Sequence, residues 1–539
     1  MERRKFLKTT ALASTAPLLL NHIPVLASSN LDSSNLNMMA TSARECGKIL
    51  VIIQMNGGND GLNTIFPIDQ YDKLLAARPN ILLPEKDILK LNLNNSTGFH
   101  PAMTDMQKMY NNGQMMIVQG VTYPNPSYSH FRSTDIWFTA SDSDKSLQTG
   151  WLGRALDKKY PSFPVGYPNL EMPDPLAIQI GSTLPFSLQG PGINLAYSVP
   201  KPEDLLNVVN ATTDPAPNSD YGKELTFLRL MKDQSNVYRD VIQKAFKVPN
   251  PQSADYPNDN KLAEQLKIVS KLINGGLQTP IYIVNHPKSF DSHEYQISEN
   301  NRQLGKHPEN LKILSDAIAA FQKDLRLINK SEKVAGMTFS EFGRRIKSND
   351  SLGTDHGAGA PVIFFGDSLN VGASNVAGST YPVSGMIGKS PLLPEIADVE
   401  DQVPMQFDFR QIYSTIMQDW LCLTEEQAIN VLGSRFEKLP IFKSNKPIQN
   451  VIDENDSSVF IVYPNPVINN QVNIKFTKLV NSKINIVISS IQGIKIFENI
   501  FQVDGDMLNF SITNYIASGT YILRITLNGN NFFKKLLFV

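Results

Sequence analysis

Carboxylates and imidazoles recur in this chain just after apolar runs: Asp60, Asp291, His293, Glu341, Asp355 and His356. Side chains of these two types share a borderline divalent cation, zinc before calcium or manganese. Asp291 and His293 are separated by one residue, so in an extended segment both project to the same side. A second group, Ser127, Ser129, His130 and Arg132, precedes a run with helix-start character. A serine there is either an N-cap, an anion ligand or a nucleophile. Arg132 or Arg344 offers a bidentate clamp for an anion. The chemistry that unites these residues is metal-assisted hydrolysis of a phosphate or sulfate ester.

Positioning them is the task of a sheet. Lys48 to Met55 is an unbroken apolar run of the kind found in central parallel strands, and it ends in Asn56-Gly57-Gly58-Asn59-Asp60-Gly61-Leu62-Asn63. Further strands are expected over Gln114 to Gly120, Thr279 to Val284, Lys333 to Phe339 and Pro361 to Gly366. In an open α/β sheet, ligands gather at the carboxyl ends of strands, where these candidates fall. His130, His286, His293 and His356 all lie beside such ends. Asn310 to Ile328 carries apolar residues at helical spacing and reads as packing, as does the run from Asp408 to Leu421.

Composition narrows the class. With 539 residues, 41% of them hydrophobic, the chain supports two or more domains. Its formal charge of −1 gives no field for nucleic acid, and nucleic-acid binding is not expected. Two cysteines, Cys46 and Cys422, are too few for a cysteine-rich metal site. They are expected as separate buried thiols, with one long-range disulfide as the alternative.

The termini differ in texture from the middle. Arg3-Arg4-Lys5-Phe6-Leu7-Lys8 precedes a short apolar run and Val25-Leu26-Ala27, which together read as an export signal over 1–27. The apolar run is too short and broken to span a bilayer, so no transmembrane segment is expected. The motif resembles the twin-arginine signal. Residues 28–44 read as a flexible mature N-terminus and 444–458 as a linker. From 459 to 539, period-two runs such as Val472/Ile474/Phe476 and Ile484/Ile486/Ile488 alternate with turn signals, which predicts a small β-sandwich. Through Tyr463-Pro464-Asn465-Pro466, Gly493, Ser518-Gly519-Thr520-Tyr521-Ile522 and Lys534-Lys535-Leu536, this segment resembles the C-terminal sorting domain of type IX secretion. The two resemblances imply twin-arginine and type IX machinery as partners, and a final location outside the cell or on its surface.

The region 45–443 resembles the exported family called domain of unknown function 1501. The matching motifs are Gly57-Gly58-Asn59-Asp60-Gly61-Leu62-Asn63, Ser129-His130-Phe131, Phe290-Asp291-Ser292-His293, Glu341-Phe342-Gly343-Arg344 and Gly353-Thr354-Asp355-His356-Gly357. That family is similar to the alkaline phosphatase and sulfatase superfamily, which implies an α/β fold with a mostly parallel sheet flanked by helices. By this resemblance Asp60 is the first metal acid, Ser127 or Ser129 the nucleophile, and Asp291 with His293 an Asp/His pair, with Asp355-His356 as the alternative pair. Glu341 and His356 are further metal ligands. Phe342 stands where the superfamily typically has histidine, which argues against a full two-metal centre. The implied substrate is a small anionic ester or a glycan; the competing reading is a catalytically degenerate binding or scaffolding protein on the same fold.

Overall fold

The apolar run after Lys48 forms strand β1, Ile49–Gln54, at the centre of a nine-stranded sheet. Its residues alternate between two cores: Ile49, Val51 and Ile53 face one, Leu50 and Ile52 the other. A strand buried on both faces needs apolar residues at every position, so the run is continuous rather than alternating.

The computed structural model describes residues 18–20, 23–25, 47–205, 216–217, 219–251, 255–371, 385–443, 460–468, 470–490, 495–512, 516–527 and 530–538. The twin-arginine motif, the expected cleavage site, Cys46 and the expected linker lie outside these residues. The chain divides into two compact units, Met1–Lys443 and Ser444–Val539.

The remaining strands of this sheet are β2 (Met115–Thr122), β3 (Ala177–Ile180), β4 (Ala196–Val199), β5 (Ile281–Asn285), β6 (Val334–Phe339), β7 (Ala360–Phe365), β8 (Met386–Ile387) and β9 (Phe407–Asp408). The order is β8-β2-β7-β6-β1-β5-β3-β4, with β9 also pairing β2. Only β7 runs antiparallel to its neighbours β6 and β2; β1 is parallel to both β5 and β6. Helices cover both faces. The long helix Lys306–Leu327 buries Leu311, Leu314, Ile318 and Phe321 against one face, as its spacing predicts. On the other, Ile136 and Trp137 of helix α1 (His130–Thr139) join Ile412, Tyr413 and Trp420. No described helix is long and apolar enough to cross a membrane. The separate-thiol expectation is corrected, since Cys422 is disulfide-bonded.

The second unit is all β. Strands β10 (Phe460–Ile468), β11 (Gln471–Ser490), β12 (Lys495–Ser511), β13 (Gly519–Leu527) and β14 (Asn530–Phe538) follow the order β10-β14-β13-β11-β12. An additional β10–β11 pairing closes this sheet on itself around Val472, Ile474, Ile484, Ile486, Ile488, Leu523, Ile525 and Leu536. The period-two runs are therefore the inward faces of the strands.

Two further histidines lie deep in the first unit. His100 and His307 are each 1% exposed, with ring centroids 6.4 Å apart. Burial disfavours their charged forms and lowers His100 to about 3 and His307 to about 4, from an ordinary value of 6.5. Their neutral state favours folding fully above 6.5, and that contribution is lost as pH falls toward the folded-state values. Acidification from pH 6.5 to 4 should lower the thermal unfolding midpoint. In His307→Gln the fall should be shallower; an equally steep profile in that variant would contradict this assignment.

Candidate metal centre

Four side chains converge above the carboxyl ends of β5, β6 and β1. Among the described residues, His130, Asp291 and His356 form a group whose ligating atoms lie within 4.8 Å of one another. His293 stands beside this group without belonging to it, with its Nε2 3.2 Å from Asp291 Oδ1 and 2.9 Å from His356 Nε2. His356 Nε2 is 3.4 Å and His130 Nε2 3.5 Å from the Asp291 carboxylate. Asp291 and His293 do share one side, as their i, i+2 spacing predicts.

The imidazoles are fixed from behind. His130 Nδ1 lies 2.8 Å from Glu341 Oε1, His293 Nδ1 lies 3.0 Å from Asp355 Oδ1, and His356 Nδ1 lies 2.7 Å from the Tyr128 carbonyl. Carboxylate and carbonyl oxygens only accept, so each Nδ1 carries a proton, and in the neutral ring Nε2 keeps a lone pair. The hydrogen bond that His130 donates to Glu341 raises the His130 pKa, against burial, with the Glu341 and Asp291 charges adding to it. For His356 burial dominates and lowers it.

Asp291 is held in the middle by Arg344. That guanidinium is 1% exposed and donates to Asp291 Oδ1 at 2.9 Å. Its other donors go to the carbonyls of Gly58 (2.8 Å), Thr354 (2.8 Å), Phe290 (3.2 Å) and Gly57. Burial alone would push the Asp291 carboxyl up; the hydrogen bond and charge of Arg344 outweigh it and hold the pKa below its ordinary value.

The Gly57-Gly58 turn makes this possible. Gly57 has φ +109° and Gly58 φ +78°, the left-handed region that glycine enters freely. A Cβ on Gly57 would lie 2.3 Å from the Asp291 amide nitrogen, and one on Gly58 would lie 2.3 Å from the Phe342 ring. The Gly57 amide donates to Glu341 Oε1 at 2.7 Å, so the turn also braces the carboxylate behind His130.

Several expected roles change. Glu341 and Asp355 are not ligands converging on the cluster; they orient two of its imidazoles. His130, expected in catalysis, is a member of the ligating group. Asp60 is 1% exposed and stands apart in a buried ion pair, with both oxygens 2.8 Å from Arg78 Nη1 and Oδ2 receiving Gln296 Nε2 at 2.6 Å. Neither arginine is a free anion clamp. Arg344 is consumed as described, and Arg132 binds Asp135, Ser146 and the carbonyls of Asp142, Ser143 and Lys145. Ser127 Oγ accepts the Ser129 amide at 3.3 Å. Ser129 is the N-cap residue of α1 but its exposed side chain makes no cap bond. His286 is buried and structural, with Nδ1 2.8 Å from the Lys288 carbonyl and Nε2 3.1 Å from the Asn310 carbonyl.

Arg78 and Gln296 went unnoticed in the sequence. A signal for Arg78 exists: a lone arginine flanked by Leu74, Leu75 and by Ile81-Leu82-Leu83. Nothing in the spacing marks Gln296.

Residues 252–432 match the family described as protein of unknown function (DUF1501). Residues 461–538 match the secretion system C-terminal sorting domain, which directs a chain to the cell surface or the extracellular space. Similar solved structures include a protein in the alkaline phosphatase superfamily from Vibrio parahaemolyticus (9% identity, 94% of this chain and 88% of that one, TM-score 0.30). Others are the PsFucS1 sulfatase from Pseudoalteromonas sp. (10%, 86% and 83%, 0.31) and the lipoteichoic acid synthase LtaP from Listeria monocytogenes (9%, 85% and 89%, 0.28). No curated protein matches the sequence.

Gly57→Ala combines a disfavoured φ with a backbone clash, and should cost about 1–3 kcal/mol in urea unfolding. Gly433, also at positive φ but with open space around its Cβ position, serves as the control and should lose less on the same substitution.

Proposed function

We propose that this chain is an exported, metal-dependent hydrolase of phosphate or sulfate esters, with one divalent ion, zinc by preference, held by His130, Asp291 and His356, with His293 beside them. The observation that carries the reading is the set of three imidazoles, each anchored at Nδ1, whose Nε2 atoms face one carboxylate. Metal-binding histidines characteristically donate their second nitrogen to a carboxylate or carbonyl in this manner.

The donor set itself fits a cation. His293 Nε2 and His356 Nε2 stand 2.9 Å apart with both Nδ1 protons already committed, so two lone pairs face each other. Such a contact is repulsive unless an added proton or a cation lies between. For bonds of about 2.0–2.2 Å at tetrahedral angles, neighbouring ligand atoms stand about 3.3–3.5 Å apart. The separations of 3.2, 3.4 and 3.5 Å around Asp291 are close to that spacing.

When bound, a divalent ion supplies Lewis acidity toward an ester oxygen and eases deprotonation of a nearby hydroxyl. The chain's own groups do the rest. The open amides at the start of α1 receive the non-bridging oxygens of the ester. Ser129 supplies the attacking hydroxyl in this reading, and Ser127 holds its backbone in place. Arg344 keeps Asp291 ionised and oriented. Small anionic esters and sulfated or phosphorylated glycans are the candidate substrates, met outside the cell after export by the twin-arginine and type IX machinery.

One observation favours a second reading, a binding or scaffolding protein. Both expected anion-clamping arginines are spent on internal contacts, so no described candidate cation remains for the ester. The two readings diverge in one experiment on the full chain purified without a histidine tag. Metal analysis should return about one zinc per chain, and His356→Ala should lose it. Nitrophenyl sulfate, nitrophenyl phosphate and bis(nitrophenyl) phosphate are then assayed with Zn²⁺, Ca²⁺ or Mn²⁺ added. Turnover abolished in Ser129→Ala supports the hydrolase; bound metal without turnover supports the scaffold; no bound metal and no turnover overturns both the centre and the activity.

A further inference from the structure

We propose that Gln296 is a positioning residue of this centre, its side-chain amide setting the distance between the two segments that carry Asp291, His293 and His356. The inference rests on the metal-centre reading above and goes beyond it to a residue that touches no ligand directly.

Gln296 is fully buried, and its amide is used at both ends. Nε2 donates to Asp60 Oδ2 at 2.6 Å. Oε1 accepts from Ser292 Oγ at 3.2 Å and from Thr354 Oγ1 at 2.8 Å. Ser292 lies between Asp291 and His293, and Thr354 directly precedes Asp355-His356. One oxygen thus ties both segments, and the Thr354 amide completes the link by donating to the Ser292 carbonyl at 3.1 Å.

The direction of the amide is not free. Asp60 is ionised against Arg78, the pair having no exposed side-chain surface. An ionised carboxylate accepts only, so the NH₂ end of Gln296 must face it and the oxygen must face the two hydroxyls. Reversal would set oxygen against carboxylate and leave two buried hydroxyls without their acceptor. Arg78 also donates to the carbonyls of Arg345 (2.6 Å) and Ile346 (2.6 Å). The same ion pair therefore registers the segment that carries Arg344. Asp60, which resembles a metal acid in the sequence, acts here at one remove, through an amide.

Gln296→Met keeps the length of the side chain and removes all three hydrogen bonds. Tyr413→Phe is the structural control; it removes a buried hydrogen bond, Tyr413 Oη to the Trp137 carbonyl at 2.8 Å, in the opposite core. Zinc affinity of the full chain is measured by competition with a chromophoric chelator, and amide hydrogen exchange is followed over 291–293 and 353–356 without metal. Gln296→Met should weaken zinc binding about 10–100-fold, the usual effect of losing an outer partner of a metal site. Both segments should lose exchange protection together, while Tyr413→Phe changes neither. If Gln296→Met does not fold, Ser292→Ala and Thr354→Val should each weaken zinc several-fold and loosen their own segment. Zinc affinity within threefold of wild type in all these variants, or unchanged protection of both segments, overturns the proposal. Wild-type protein that binds no zinc but whose two segments loosen together in Gln296→Met overturns the metal reading instead and leaves the coupling standing.

Discussion

An imidazole can present a lone pair in a chosen direction only when its other nitrogen is held by an acceptor, and the first unit is arranged around meeting that condition three times. The acceptors come from different parts of the chain: Glu341 just after β6, Asp355 ahead of β7, and the Tyr128 carbonyl before α1. No local motif could bring them together. The sheet order does, because β5 and β6 flank β1 in parallel register and deliver their following segments to one end. Asp291 then needs a counter-charge of its own. Arg344 supplies it from a fully buried position that is tolerable only because backbone carbonyls of the glycine turn and its neighbours take up the remaining donors.

The strands were legible because their physics is local. Strands buried on both faces must be apolar almost throughout, and the runs after Lys48, before Gly120 and after Lys333 are, with Gln54, Gln119 and Thr338 as their polar members. The terminal β unit was legible for the opposite reason, a strict alternation whose apolar members turn out to line one interior. At the site, residue type and location were legible but rank was not. Glu341 and Asp355 sit beside the cluster as expected, yet a carboxylate one position further back looks the same in sequence as one that ligates. Asp291 with His293 was recoverable because two residues of extended chain fix their relative direction. Asp60 was misread because its partner, Arg78, lies within no strand end, and the ion pair between them exists only in three dimensions.

The buried ion pair also bears on how such a site stays apart from water-exposed charge. Breaking it by removing one partner would strand a charge with no solvent contact, a severe penalty in a fully buried position. Burial would raise the Asp60 carboxyl, but the Arg78 charge and hydrogen bonds overcome it and the net pKa is low. The ionised form of Asp60 is thereby favoured, and the groups that depend on it keep one orientation. A neutral side chain in its place would let the Gln296 amide choose either end.

Under the proposed reading, Phe342 argues for one ion rather than two. The resemblance to the superfamily places a histidine at this position, and a simple loss would leave a gap. Instead the Phe342 ring packs 4.9 Å from His130 and 4.5 Å from His356, against two imidazoles whose own centroids stand 4.5 Å apart. It is 2% exposed, and it occupies the volume that a side chain on Gly58 would need. The same turn whose glycine accommodates that ring also offers its carbonyls to Arg344, which orients the carboxylate facing both imidazoles. An aromatic residue that packs on two imidazoles at once and dictates a glycine opposite is a built component: it adds packing to rings that hydrogen bonds already orient.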